Sequence, residues 1–500
     1  MDNERVRIRT VKTKSGSFAV QVVSKRHGKL TVHKHIGSYK TEREKTRHVF
    51  EANLYIRDHD NIQQHLWHQE ASLRPSGVTI TKSQPLFLYR LLSSVYDHLG
   101  LNELGDALLK DLIIARLYQP VSKRETVDIL ADAFGKRYSL KTVYRHLQRA
   151  MDHGLKEQFQ HALISFARNE LHDALRLVFY DVTTLAFDSQ AQKGLKNFWF
   201  SKDHRFQDVQ IVIGLVVNQD GFPLYFDIFS GNTFEGNTFV AVVEQILTLL
   251  GNPELIVVAD AAMLSKTNLA ALAQKNIGFV VGARLANIPA SMLNTIVAAI
   301  AGQDQKIVSV PYLSYRLVCQ YLASRAAKDR HDREKQIMKA KHAIATPGTM
   351  SKRFRFLKAT GERYEVNETL IEKAKKLEGV KGYLTNTRLD ESTIIDRYHD
   401  LWKIEQSFRI TKSDLEARPI FLQLDKTISC HLIIVFAGLA ISRFLEMKTG
   451  MSIHAIIRIA QKVLTHRVTI RETGETGLVE TTIEDPELCG QLDKLRSLEH

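Results

Sequence analysis

Cysteine is scarce: Cys319, Cys430 and Cys489 are the only three in a chain of 500 residues. They lie far apart and form no C-x-x-C pair, which argues against a disulfide framework or a zinc knuckle. A reducing, cytoplasmic compartment is the expectation that follows. Long apolar runs are lacking too. The longest unbroken one, Leu432 to Ile441, is ten residues, where a spanning helix needs ~20, so no membrane segment is expected. The opening MDNERVRIRT is polar and charged and does not read as a signal peptide. There is no P-loop, no G-x-G-x-x-G, no G-x-S-x-G, and no H-E-x-x-H despite 20 histidines. Each of those motifs carries a chemistry that is therefore not indicated here. Tryptophan is limited to Trp67, Trp199 and Trp402.

What is present is ordinary globular composition, 44% hydrophobic and 25% charged. At ~150 residues per domain the length suggests about three domains. The formal charge of +14 is unevenly placed. Residues 1–50 hold 13 Lys+Arg and 4 Asp+Glu, and residues 325–358 hold 11 and 3. These two segments exceed the whole surplus. Clustered positive charge suits a polyphosphate partner, because each neutralised phosphate releases condensed counterions. Nucleic acid fits this better than an anionic membrane; a solvated basic surface is the plain alternative.

Residues 5–38 alternate polar and apolar around Gly16 and Gly28 and read as a small antiparallel meander. A polar helix over about 41–68 follows, then helices over 85–118 and 122–152. Ser122 and Glu125 form an S-x-x-E capping box, and Gly135 breaks the helix after it. The next helix, capped by Ser139, carries Lys141, Arg145 and Arg149 opposite an apolar stripe. The pair resembles a helix-turn-helix, with plain helical packing as the alternative. After residue 174 the texture changes. Three antiparallel strands (175–184, 209–217, 223–229) precede a helix (237–250), a strand (255–260), a helix (265–275) and a strand (279–283). That is a ribonuclease-H-like α/β order with a mixed sheet. It is interrupted over 286–380, which holds short strands and a charged helix at 325–345. It resumes at 382–387, followed by a long helix over 392–414 and an apolar one over 427–446.

Two acids stand out in the sheet. Asp181 lies inside an otherwise apolar strand, and Asp260 ends one. A carboxylate in either place is costly to bury unless it is paired or binds a cation. The ends of neighbouring strands are where α/β proteins place ligands. A helix cap or an ion pair would explain either acid alone. The third candidate is Glu405. At ~100° per residue, seven residues fall only ~20° short of whole turns. On the helix expected over 392–414, Tyr398, Glu405 and Lys412 therefore line one stripe. An exposed Glu405 paired with Arg409 at i+4 is the alternative. Three acids facing one point would suit phosphodiester chemistry, in which hard oxygen ligands hold Mg²⁺ or Mn²⁺.

The segments YDVTT (180–184), SKDHRFQDVQ (201–210), GFPLYFDIFSGNT (221–233), VVADAAMLSKTNLAAL (257–272) and YHDLWKIEQSFRITKSDLEARPI (398–420) resemble bacterial insertion-sequence transposases. The family is the DDE group with a Y-x2-R-x3-E-x6-K signature and an inserted β-rich domain. The resemblance implies a catalytic, metal-holding triad of Asp181, Asp260 and Glu405, with Tyr398 and Lys412 near the DNA backbone. Two positions depart from the pattern. Leu401 stands at the signature arginine, so Arg409 is the neighbour that could supply the phosphate contact. Ala261-Ala262 follows the second Asp, where relatives commonly have Arg-Gly. Some relatives stack a flipped base on a tryptophan in the insertion. None lies there, which leaves Tyr312, Tyr315 or Phe354.

The resemblance implies a cut-and-paste DNA transposase acting on terminal inverted repeats and target DNA, working as a homodimer on DNA and nucleoid-associated when bound. The expected organisation is a meander and helix (1–70), a helical DNA-binding region (71–170), the core's first part (171–285), the insertion (286–380), the core's second part (381–450) and a tail (451–500). Lys141 and Arg145 would contact DNA from the helical region, and Lys328, Arg330 and Arg333 from the insertion. A metal-dependent nuclease that cleaves without joining, and a non-catalytic DNA-binding relative, are the rival readings.

Overall fold

A computed structural model gives the fold. It describes residues 7–13, 16–26, 29–41, 44–45, 47–49, 51–53, 55–56, 78–188, 191–198, 208–251, 254–263, 265–345, 354–360, 363–418, 420–471 and 473–499. The chain divides into two compact units, Met1–Ser83 with His466–Val479, and Gln84–Thr465 with Glu480–His500.

In the first unit, β1 (Arg7–Lys12), β2 (Phe18–Arg26) and β3 (Lys29–Tyr39) form the expected antiparallel meander. Val20 and Val22, two apart on one face of β2, are fully buried with Ala52 from the helical residues that follow. The far end of the helix expected over 41–68 lies outside the described residues. A strand that the sequence left unassigned, β4 (Val78–Gln84), joins the strands Thr465–Ile470 and Thr476–Glu480 in a second three-stranded sheet.

The second unit opens with five helices: α1 (Leu86–His98), α2 (Ala107–Tyr118), α3 (Lys123–Phe134), α4 (Leu140–Arg149) and α5 (Leu155–Asn169). The expected 85–118 helix is cut because Gly100 and Gly105 adopt φ of 73° and 62°, a region glycine enters without a Cβ clash. The capping box holds: Ser122 Oγ accepts from Glu125 N at 3.3 Å, and Glu125 Oε2 accepts from Ser122 N at 3.4 Å.

The core sheet comes next. Strands β5 (Leu177–Ala186), β6 (Gln210–Asn218) and β7 (Pro223–Ser230) are antiparallel. After α6 (Glu235–Leu250), β8 (Ile256–Ala259) runs parallel to β5; after α7 (Lys266–Gln274), β9 (Gly278–Gly282) runs parallel to β8. This is the ribonuclease-H-like mixed sheet. Every residue of β6 is buried, as a central strand covered on both faces must be. The continuous apolar run in the sequence follows from that.

The insertion begins with α8 (Ala290–Ile300) and the hairpin of β10 (Ile307–Tyr312) and β11 (Tyr315–Tyr321). This hairpin is no separate module. β11 pairs with β14 (Val380–Thr385), which pairs with β9, so the sheet has eight strands in the order β10-β11-β14-β9-β8-β5-β6-β7. The intervening α9 (Ala323–Ala345), the strand pair β12 (Leu357–Thr360) and β13 (Arg363–Val366), and α10 (Glu368–Lys376) have their own small core of Ala340, Phe356 and Ile371.

The long helix expected over 392–414 is three pieces: α11 (Glu391–His399), α12 (Trp402–Arg409) and a π-helical turn at Ile410–Asp414. At the first junction Leu401 N bonds Tyr398 O and Ile404 N bonds Leu401 O, both i→i−3, which tightens the turn. The seven-residue stripe drawn on a straight helix is therefore corrected: Tyr398, Glu405 and Lys412 sit on three differently wound segments. The last core element, α13 (Asp425–Thr449), is long and apolar enough to cross a membrane by length and composition. Counting only unbroken apolar runs missed this. Its apolar window is 94% buried within the protein, so it serves as a core helix here.

Candidate active site

The two aspartates meet by register. In the parallel pairing of β5 with β8, Tyr180 lies opposite Ala259. One step on, the register brings Asp181, within β5, alongside Asp260, the first residue past β8. Tyr180 points to the other face, where its hydroxyl meets Thr238 Oγ1 at 2.6 Å under α6. Asp181 Oδ1 accepts from Val182 N at 2.7 Å. Asp260 Oδ1 accepts from Ala262 N in the turn just past β8. Both side chains are half-buried.

Glu405 comes from α12, which is anchored on the β6–β7 turn. Asn218, fully buried, shapes that turn by accepting from Asp220 N and Phe222 N and by donating to Asp173. The turn's outward carbonyls then hold helices. Lys403 Nζ donates to Gln219 O at 2.7 Å, Ser407 Oγ to Gly221 O at 3.2 Å, and Arg443 Nη2 to Asp220 O at 2.8 Å. Glu405 is exposed. Asp400 pairs with both Arg397 and Lys403, and among the described residues no ion pair joins Glu405 to Arg409.

Tyr398 reports how the acids are arranged. Its hydroxyl packs where a side chain on Gly282 would be, 2.5 Å from the ideal Cβ position, and Ala261 Cβ lies 3.3 Å from the same point. Only glycine lets β9 and α11 approach this closely. Burial pushes the Tyr398 hydroxyl up to about 12, and the negative charges of Asp260, Asp181 and Glu405 add to the shift. All three carboxylates thus act on one half-buried group. They do not close on one another, however. Among the described residues no three His, Cys, Asp or Glu side chains form a group that could hold a metal. The expected convergence is corrected to a side-by-side aspartate pair with Glu405 open beside it. The tightened turn before α12 changes the direction in which Glu405 projects. The pair's hard oxygens suit a divalent cation, with Glu405 in range of its charge.

Two cations were missed by the sequence reading. Lys381 Nζ sits 4.7 Å from the Tyr398 ring centroid and 5.6 Å from that of Tyr383. Burial and the charge of Arg325 lower its pKa, and Glu405 opposes that shift. Arg325, at the start of α9, also acts on Tyr383 and Tyr398. Leu401, at the signature arginine position, is buried and packs in the core. Positive charge therefore reaches the site from the insertion side instead. Lys381 and Tyr383 alternate onto one face of β14, a signal visible in the sequence; Arg325 gave none. A cavity of about 340 Å³ opens between α9 and β14, lined by Arg325, Arg333, Arg355 and Lys381 among others.

The remaining candidates are scattered. Lys412 lies half-buried in the π-helical turn, and Arg409 is exposed at the end of α12. Lys328 is exposed on α9. Arg333, by contrast, is inward: its Nε binds Glu378 Oε1 at 2.6 Å, with side chains only 14% and 9% exposed. Arg330 binds the other oxygen of Glu378 at 3.3 Å and stays largely exposed. Lys141 and Arg145 are exposed on α4, whose Val143 and Leu147 are buried. Tyr315 packs edge-on against Phe279. The exposed aromatic nearest Glu405 in the chain is Trp402, 54% accessible.

The family model of the transposase DDE domain matches residues 175–439, more than half of the chain. The chain belongs to the transposase DDE-domain family. The matched span runs from just before β5 into α13 and contains both aspartates, Glu405 and the whole insertion. No curated protein matches the chain. Among solved structures, this DDE-family chain is similar to the piggyBac transposase in its synaptic complex with hairpin DNA. The identity is 9%, coverage is 77% of this chain and 81% of that one, and the TM-score is 0.40.

Proposed function

We propose that the protein is a DNA transposase of an insertion sequence, which cuts DNA at the element's terminal inverted repeats and joins the ends to target DNA. The observation that carries this reading is the Asp181–Asp260 pair on adjacent parallel strands, with Glu405 acting on the same tyrosine. Family membership supports it. Mg²⁺ or Mn²⁺ bound there would supply Lewis acidity at the attacked phosphate and activate the attacking oxygen. Asp181 and Asp260 would be its ligands, and Glu405 would complete the set as the side chain swings in. Tyr398, kept protonated, would donate to a phosphate oxygen, and Lys381 with Arg325 would offset the charge of the incoming strand. Lys412, Arg409, Lys328 and the α4 pair Lys141 and Arg145 would hold the duplex by its backbone. The working form would be a homodimer bridging two ends, in the cytoplasm on the nucleoid.

The test uses DNA carrying the ends of the element that encodes the chain. Asp181→Asn, Asp260→Asn and Glu405→Gln should each reduce Mg²⁺-dependent cleavage by ~10³-fold or more, the scale of losing a group that stabilises developing charge. Wild-type-like cleavage by any of the three would remove that residue from the site. Cleavage with no joined product would instead leave a metal-dependent nuclease.

A further inference from the structure

Away from the acids, three basic side chains are buried together with no carboxylate bonded to them. Arg116 comes from the last turn of α2, Lys123 from the first residue of α3, and His431 from α13. They are 8%, 7% and 5% exposed. All three line one cavity of about 450 Å³. Among the described residues none of the three makes an ion pair, and His431 Nδ1 has no hydrogen-bond partner. His431 Nε2 has only a distant carbonyl, Ala417 O at 3.5 Å.

Buried cations without a counter-ion are costly, and proteins ordinarily pair them. Two acids also line the cavity, and neither fills that role. Glu125 is occupied by the capping box with Ser122. Glu416 is exposed and reaches Arg116 only through its charge. Burial, then the neighbouring cations, holds Lys123 and His431 well below their usual ranges. The cavity also opens at the N-terminus of α3, the end of a helix that favours an anion. At its wall stand two exposed aromatics, Tyr144 and Phe421, 40% and 60% accessible. Tyr144 belongs to α4, the helix that carries Lys141 and Arg145.

We infer that this cavity is a second anion site, built to take a phosphate group on Arg116, Lys123 and His431. It does not rest on the catalytic assignment of Asp181, Asp260 and Glu405. A phosphate there would pair with Arg116 and draw Lys123 and His431 back toward their charged forms, and the flanking aromatics suit the sugar or base attached to it. The phosphate has two possible sources: the backbone of a DNA strand passing along α4, or a free phosphate or nucleotide.

The test uses the full-length protein and needs no cleavage. Inorganic phosphate, compared with chloride at equal ionic strength, should raise the wild-type Tm saturably. Lys123→Met should weaken phosphate binding about tenfold or more and should itself raise the Tm in chloride, by removing a buried amino group that no acid pairs. Arg124→Ala, exposed at the rim, should do neither. A labelled duplex then separates the sources. If Lys123→Met also weakens duplex binding and reduces the salt slope by ~1, the phosphate is the strand's own. If duplex binding is unchanged while phosphate binding falls, the ligand is a free phosphate. The inference is overturned if phosphate leaves the wild-type Tm unmoved and Lys123→Met leaves duplex binding unchanged.

Discussion

Tyr398 is the residue through which the candidate site can be read without turnover. Its raised pKa means that the folded chain holds this proton more tightly than the unfolded one. That stability is fully present below about pH 10, the ordinary tyrosine value, and is lost as pH rises through about 12. Burial is the larger cause, but part of the shift comes from Asp260, Asp181 and Glu405, and neutralising them should reverse that part. In Asp260→Asn the Tyr398 pKa should fall toward 10, and saturating Mg²⁺ on the wild type should move it the same way. The measurement is ¹³Cζ-tyrosine NMR across pH, with Tyr398→Phe to assign the signal. A Tyr398 signal indifferent to both changes would separate the tyrosine from the acids. At this scale the sequence was most legible where a residue broke its local rule. Asp181 in an apolar strand and Asp260 at a strand's end announced themselves by desolvation cost alone. Lys381 and Arg325 broke no local rule. They become neighbours of Tyr398 only through the β9–β14 pairing and the start of α9, which lie beyond any short window.

Among the elements, α9 shows how a charge run divides into two duties. Its cations looked equivalent in the sequence, since periodicity says which residues share a face but not what covers it. The structure turns Arg333 inward onto Glu378 and leaves Lys328 in solvent. Arg333→Ala should therefore destabilise the protein by about 1.5–3 kcal/mol, because it removes the shorter, inward half of the Glu378 ion pair and leaves only the more exposed Arg330. Lys328→Ala should stay within ~0.5 kcal/mol and weaken DNA binding with a shallower salt slope. Chemical denaturation and salt-dependent anisotropy distinguish the two; equal stability of both variants would deny the inward role of Arg333. The helix 392–414 failed for a related reason. Its composition has no proline or glycine to mark a break, and the junction is instead set by tertiary anchors, Lys403 and Ser407 on the β6–β7 turn. The hairpin 307–321 was legible as strands but not as part of the core, because sheet membership depends on a partner, β14, some sixty residues away.

For the whole second unit, α13 is the element that makes helices and sheet interdependent. Within that unit it packs on α2, α4 and α5 and also on β7, where Phe436 stacks on Phe226 at 4.3 Å between ring centroids. That double duty explains why it is apolar all round, and why its composition alone imitates a membrane span. It also means that the core sheet is not an independent platform to which the helices of 86–169 are tied by a linker. Phe226, on the face of the sheet shared with Asp181, rests on the same helix that supplies His431 to the anion cavity. Phe436→Ala should cost about 3–5 kcal/mol, the usual range for emptying a buried aromatic position. The informative quantity is where that loss appears. If α13 joins the two parts into one cooperative block, native-state hydrogen exchange should show the amides of α2 and of β7 losing the same protection in the variant. Loss confined to β7, with α2 unchanged, would mean that the helices hold themselves together, and the placement of the aspartate pair would then be independent of the region that carries Lys141 and Arg145.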